Sequence, residues 1–203
     1  MKIIEPSVEL LTPFNGVEVL KFIEKCGRVC YRSENKITED SAEKFVHMLI
    51  TRGHESVLEH FSCTFKIICD RGVMAELTRH RLCSFSIEST RFVDYSKGEL
   101  TFINPHLEQT GDSRQAIFEN AVLEAEEKYL RLRSGGTKPE QARAVLPNSL
   151  ATTIIMTANL REWRHVLKLR TSPKAHPQMR QIATMILDIF KNKLPVAFED
   201  IGQ

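Results

Sequence analysis

Apolar residues along this chain follow two different periods. Over residues 61–69, Phe61, Cys63, Phe65, Ile67 and Cys69 alternate with Ser62, Thr64 and Lys66. A period of two is that of a half-buried strand. Over 112–133 the step changes to three and four through Phe118, Val122, Ala125, Tyr129 and Leu132, with Glu124, Glu126 and Glu127 facing outward. That is a long amphipathic helix. The same spacing predicts helices over 17–29 (Val19, Leu20, Ile23, Cys26), over 39–51 (Phe45, Met48, Leu49) and from about 177 to 193 (Ile182, Met185, Ile186, Ile189).

Punctuating residues divide the remainder. Residues 3–11 alternate loosely and read as a first strand stopped by Pro13. Thr38 is the favoured N-cap of the second helix, with Ser41 a weaker one, and Gly53 is its stop signal. Asp70-Arg71-Gly72 reads as a turn, followed by a short helix over 73–81 whose last turn holds Thr78, Arg79, His80 and Arg81. A strand is expected over 99–104, ended by Pro105. Thr137-Lys138-Pro139-Glu140 has the form of a capping box with a first-turn proline, opening a helix through Ala144 that Pro147 ends. The β-branched run 151–157 is a strand. Asn159 then caps a helix to Arg170, with Glu162 as the box partner and with Arg161, Arg164, His165 and Lys168 on one broad face, whose bland reading is a basic, solvated surface. No repeat, linker or low-complexity tract interrupts the chain, so residues 1–203 are expected to form a single α/β (α+β) domain, a mixed sheet with long flanking helices.

Composition narrows the function classes. A chain of 203 residues suffices for one sizeable core. With 27% charged residues and a net charge of +2, bulk attraction to nucleic acid or membrane is not indicated, so any anion site must come from local clustering. The N-terminus lacks the apolar run of a signal peptide and no later run is long enough for a bilayer, so a cytoplasmic protein is expected. The cysteines, Cys26, Cys30, Cys63, Cys69 and Cys83, form an odd set without a Cys-x-x-Cys pair and read as reduced, mostly buried thiols.

The local clustering is at residues 79–91. Arg79-His80-Arg81 cannot be a core segment, because adjacent cationic groups repel one another unless an anion lies between them. Ser84, Ser86, Ser89 and Thr90 follow, with Glu88 and Arg91 among them, so the stretch is able to cradle phosphate or ribose oxygens. The bland alternative is a solvated helix end and loop. A second polar stretch, Gly53-His54-Glu55-Ser56-Val57-Leu58-Glu59-His60, does not fit a metal helix: its histidines are six apart, whereas the zinc-protease helix needs four. No metal is expected.

Arg-His-Arg, seven residues, then Ser89 and Arg91 resembles the signature of the flavin-dependent thymidylate synthases. Gly53-His54-x-Ser56-x-x-Glu59-His60, Ala142-Arg143-x-x-Leu146-Pro147, Asn159-x-Arg161 and Leu169-Arg170 are similar to further elements of that family, in the same order. The resemblance implies the family's α/β fold, a homotetramer with active sites between subunits, and reductive methylation of dUMP to dTMP. The carbon donor would be 5,10-methylenetetrahydrofolate and the reductant NADPH, acting by way of FAD. It implies that His54, Ser56, Arg79, His80, Arg81, Asn159, Arg161 and His165 hold FAD. Glu76, Arg79, Glu88, Ser89, Thr90, Arg91, Arg143 and Arg170 would hold dUMP, with Arg170 as the catalytic group on the N3 and O2 edge of the uracil. The chain departs from the family pattern at Ile87-Glu88, where an acid commonly stands two residues before the serine, at Glu76 in place of a glutamine, and at Ala175-His176-Pro177-Gln178-Met179-Arg180.

Two other classes compete. A nucleic-acid-binding module would use Arg79, Arg81, Arg91 and the basic helix, with affinity falling steeply in salt. A metal-dependent hydrolase would use His54 and His60. The flavoenzyme ranks above both, with no nucleic acid and no membrane as partners. Ser89 has no base in obvious reach and is read as a binding group, and Cys83 as an inert thiol. Steady-state assays of Cys83→Ala and Arg170→Ala test this: the first is expected to keep most turnover and the second to lose it, and an inactive Cys83→Ala that still binds FAD and dUMP would reverse the assignment.

Overall fold

The strand expected over 61–69 forms one residue later, as β3 (Ser62–Asp70), and its alternation holds: Cys63, Phe65, Ile67 and Cys69 are buried. It is part of a computed structural model that describes residues 1–107 and 112–202. In chain order the other elements are β1 (Lys2–Ile4), β2 (Ser7–Leu10), α1 (Gly16–Val29), α2 (Ser41–Thr51), α3 (Arg71–Leu77), β4 (Ser84–Ile87), β5 (Thr101–Ile103), α4 (Asp112–Ser134), α5 (Pro139–Ala142), β6 (Ala151–Asn159), α6 (Leu160–Arg170), α7 (Pro177–Lys193) and α8 (Pro195–Phe198). The strands make two sheets, a parallel β1-β5 pair in which Lys2 faces Thr101, and a four-stranded sheet in the order β2-β3-β6-β4. The architecture is α/β, as expected.

The chain divides into two compact units. Met1–Ser7, Ile67–Arg79 and Ser86–Ile154 form the first; Val8–Lys66, His80–Phe85 and Ile155–Gln203 form the second. The core of the first unit gathers Leu100, Phe102, Val122, Tyr129, Ala142 and Leu150. Buried phenols need partners, and the Tyr129 hydroxyl accepts from the backbone N–H of Tyr95 at 3.2 Å. Glu126, expected to face solvent, instead binds the N-terminal amine at 3.1 Å. In the second unit Phe65, Trp163 and Phe190 meet edge to edge at 5.1 and 5.4 Å, and Phe198 stacks on Phe190 at 4.1 Å. The Trp163 indole N–H donates to the Cys63 carbonyl at 3.2 Å. Close approach of α1 and α2 requires Gly27, where an added Cβ would lie 2.7 Å from the Phe45 ring.

Several local expectations are corrected. The single strand over 3–11 is two strands, divided at Glu5-Pro6, where proline removes the backbone donor. Thr38 does not cap α2: the helix starts at Ser41, whose hydroxyl is committed to Glu24 at 2.8 Å and to the Thr38 carbonyl at 3.1 Å. Asp70 is no turn residue but the cap of α3, its carboxylate accepting from Val73 N–H at 2.6 Å. That helix ends at Leu77, so Arg79-His80-Arg81 lies beyond it and leads into β4, a strand the serine-rich composition concealed. The capping box at 137–140 does not form, because Thr137 N–H closes the end of α4 on the Leu132 carbonyl at 3.0 Å and the next helix opens at Pro139. Of the cysteines, Cys63 and Cys69 are buried, Cys26 and Cys83 half-buried, and Cys30 exposed.

The basic face expected on α6 is not wholly solvated. Arg164 is 1% exposed, and its guanidinium pairs with Glu55 at 3.0 Å and Asp200 at 2.8 Å and donates to the Ala197 carbonyl. Replacing Phe65 by alanine removes the ring common to two of the aromatic contacts and is expected to cost about 3–5 kcal/mol. Urea unfolding should show the loss as a lower midpoint at unchanged slope.

Candidate active site

In the second unit β6 runs directly into α6. Asn159 ends the strand and caps the helix, its side-chain oxygen accepting from Glu162 N–H at 2.9 Å. This places Asn159, Arg161, Glu162, His165 and Lys168 along a cavity of about 680 Å³, with Glu55, Glu59 and Leu82 on its other walls. Arg161 donates to Glu59 at 2.5 Å, and the Lys168 ammonium lies 3.6 Å from Glu55. His54, Ser56 and Tyr31 border a second cavity of about 320 Å³ that shares Glu55 and Arg161 with the first. Arg81 is exposed.

His80 is 6% exposed, and Arg170 Nε donates to its Nε2 at 3.0 Å. On its other side Nδ1 lies 3.8 Å from Glu162 Oε1, and the His165 ring stands edge-on at 6.0 Å. Burial, together with the charge of Arg170 and the neighbouring His165, lowers the His80 imidazole from its ordinary 6.5 to about 4. The ring is therefore neutral at physiological pH. The Cys83 thiol points at the same Glu162 oxygen, 3.9 Å away, and burial and that carboxylate push it up to about 12, which keeps it protonated. His80, Glu162 and His165 offer one ligand atom each within 4.8 Å of one another. Arg170 already occupies the Nε2 lone pair of His80, so the ring proton belongs on Nδ1, the nitrogen nearer Glu162.

In the first unit Thr90 is buried, and its hydroxyl accepts from Arg143 Nη1 at 2.9 Å. Ser89 organises the turn after β4: its carbonyl accepts from Phe92 N–H at 3.1 Å and Val93 N–H at 2.9 Å, and its hydroxyl from Arg91 N–H at 3.3 Å. Arg91 reaches Glu140 at 3.3 Å on an open surface, a pair that solvent weakens. The Glu88 carboxylate accepts from the Tyr95 hydroxyl at 2.6 Å, and both border a cavity of about 290 Å³ with Thr152 and Thr153. Burial and Glu88 raise the Tyr95 phenol, so it stays a donor. Arg79 is exposed, and its backbone N–H donates to the carbonyl of half-buried Glu76 at 3.3 Å.

The residues expected to hold nucleotide and cofactor thus sort by unit. Glu76, Arg79, Glu88, Ser89, Thr90, Arg91 and Arg143 belong to the first; His54, Ser56, His80, Arg81, Asn159, Arg161, His165 and Arg170 to the second. The structure brings Thr90 to Arg143, and His80 to Arg170 and His165. Sequence reasoning named Glu59, the partner of Arg161, only as part of its motif, and treated Glu162 only as a capping residue. The available signal for Glu162 was its position three residues before His165, which puts both on one helix face.

His80 makes folding pH-dependent in a defined window. Above about 6.5 neither the folded nor the unfolded chain protonates it; below that the unfolded chain takes up a proton that the folded chain refuses until about 4. Its contribution to stability therefore falls as pH drops from about 6.5 to about 4. The groups facing the ring are Arg170, His165 and Glu162, with Cys83 behind the carboxylate. Melting curves of the wild type and His80→Asn across this window should show the wild type losing more on acidification. The paired carboxylates Asp94 and Asp200, held below their ordinary range by Arg133 and Arg164, cancel in the difference.

The family described as "Thymidylate synthase complementing protein" matches residues 17–196. A flavin-dependent thymidylate synthase of Geobacter sulfurreducens is 34% identical over 182 residues, covering 86% of this chain and 78% of that protein. A probable flavin-dependent thymidylate synthase of Mycobacterium phage L5 is 32% identical, covering 93% and 83%. Among solved structures, the UMP/dUMP methylase PolB of Streptomyces cacaoi, bound with 5-Br dUMP, superposes with a TM-score of 0.81 at 26% identity, covering 98% of this chain and 96% of that one. The chain belongs to the flavin-dependent thymidylate synthase family.

Proposed function

We propose that this chain is an FAD-dependent thymidylate synthase that methylates dUMP to dTMP, with 5,10-methylenetetrahydrofolate as carbon donor and NADPH as reductant. The observation that carries the reading is the second unit's cavity of about 680 Å³, walled by Asn159, Arg161 and His165, in a chain whose relatives are named flavin-dependent thymidylate synthases. Its size lies within the range of about 300–1,000 Å³ common for ligand cavities. Its chemistry fits a dinucleotide. Arg161, Lys168 and His165 are donors for pyrophosphate, Asn159 is an amide for a ring edge, and Leu82, 78% exposed, is an apolar contact for a flat heterocycle. Arg79 and Arg81 add exposed guanidiniums that form no ion pair among the described residues. His54 and Ser56 would line the same cofactor from the smaller cavity. The chemistry FAD supplies when bound is delivery of hydride from NADPH to the one-carbon unit.

The chain's own residues do the rest. Arg91 and Arg143 would take the dUMP phosphate, with Ser89 and Thr90 donating to it; each charged hydrogen bond is worth about 1.5–3 kcal/mol. The pair of Arg91 with Glu140 is exposed and readily exchanged for a phosphate. Glu76 and Glu88 are polar groups for the sugar and base, Glu88 held in place by Tyr95. Methylation needs a nucleophilic carbon 5, so negative charge must gather on the uracil ring. Arg170, aimed by its bond to His80, would stabilise that charge at the N3 and O2 edge by about 3–4 kcal/mol. Leu123 and Leu130, seven residues apart on α4 and both exposed, support a subunit contact in a homotetramer with sites between subunits. No helix among the described residues is long and apolar enough to cross a membrane; the enzyme is proposed to act in the cytoplasm.

The test is an absorbance spectrum of protein mixed with FAD and freed of excess, followed by NADPH oxidation with and without dUMP. A retained flavin band that NADPH bleaches faster when dUMP is present supports the proposal; no retained flavin under any condition overturns it. Arg143→Ala should keep the flavin band and raise KM for dUMP at least about tenfold.

A further inference from the structure

We infer that Glu162 is a positioning residue for Arg170, acting through the His80 imidazole; the inference rests on the function proposed above, in which Arg170 meets the uracil. The contacts that carry it all lie in the second unit. A guanidinium only donates, so the 3.0 Å bond from Arg170 Nε requires a lone pair on His80 Nε2 and leaves the ring proton on Nδ1. Nδ1 is 3.8 Å from Glu162 Oε1, and both side chains are buried. A carboxylate beside one ring nitrogen favours the tautomer that carries hydrogen there, which is how acids orient histidines in metal sites. Without that carboxylate the other tautomer would turn an N–H toward the Arg170 N–H, and the opposed donors would swing the guanidinium away.

Glu162 is itself held firmly. Asn159 accepts from its backbone N–H at 2.9 Å, which fixes the start of α6, and the Cys83 thiol is directed at Oε1 from 3.9 Å. The carboxylate, imidazole and guanidinium therefore form a line of neighbours whose last member is the group proposed to meet the uracil. Glu162 sets the direction of that line, so its loss should fall on kcat, where a misdirected donor is felt, more than on dUMP binding, which Arg91 and Arg143 govern.

The experiment follows the ring proton. In ¹⁵N-histidine-labelled, flavin-free protein, long-range ¹H–¹⁵N correlations report the His80 tautomer, with its signal assigned by its absence from His80→Asn. The wild type should show the Nδ1–H form. Glu162→Leu should shift it toward Nε2–H and, when loaded with FAD, lower kcat by about 10–100-fold with KM for dUMP little changed. Glu162→Gln, which keeps an oxygen acceptor in the same place beside Nδ1, should restore the tautomer and most of kcat. Should Glu162→Leu not fold, Glu162→Asp, which withdraws the carboxylate by one methylene, takes its place with the same expected shift. A wild-type tautomer in the Leu or Asp variant overturns the inference, as does a kcat loss equal in the Leu and Gln variants. Wild-type protein that holds no flavin would instead sink the proposed function, and the tautomer comparison, made without flavin, would still decide whether Glu162 directs His80 toward Arg170.

Discussion

A guanidinium with almost no exposure to water has to find its counter-charges inside the protein, and in the second unit that requirement shapes much of what surrounds Arg164. Breaking such a pair from one side leaves a buried charge uncompensated, typically at a cost of about 3–5 kcal/mol. Arg164 meets it with Glu55 from the turn after α2 and Asp200 from the chain end, while Lys168 lies 3.6 Å from each of those carboxylates. Glu55 stands between His54 and Ser56, so the charge that satisfies Arg164 also fixes the turn that presents those side chains. A structural ion cluster and a wall of the candidate cofactor site are thus one set of residues.

The same economy holds around Asn159. One side chain caps α6, and the helix it starts carries Arg161, Glu162, His165 and Lys168 toward a single cavity. Glu59 and Glu55 temper the positive charge there while leaving donors for an anion. In the first unit a comparable role falls to Tyr95, whose backbone donates to Tyr129 in the core and whose hydroxyl fixes Glu88. Side chains able to act on a ligand are held, in both units, by groups whose other atoms belong to the packing.

Much of this was legible in the residues. The alternation of β3 and the stripe of α7 follow from burial on one face, a strong and local signal, and the observed boundaries agree to within a residue. Asn159 as a cap followed from a side chain suited to one backbone geometry. Thr38 and Thr137 failed as caps because tertiary and neighbouring partners engaged the competing groups: Glu24, seventeen residues before Ser41, and the closing turn of α4. Burial of Arg164 was hidden for the same reason, since its partners are 109 and 36 residues away. Candidate site residues could be named from motif spacing, but their mutual geometry could not: nothing in the order of residues says that Arg170 donates to His80 across 90 positions.

The direct passage of β6 into α6 leaves no slack between sheet and helix. Because Asn159 is at once the last strand residue and the cap, there is no loop to absorb a change in length. One residue added or removed at this junction would rotate every side chain of α6 by about 100° and carry Arg161, Glu162 and His165 together off the cavity wall. Variation in chain length among relatives should therefore collect in connections such as those flanking α4 and spare the span from β6 to Arg170, where register and chemistry are the same constraint.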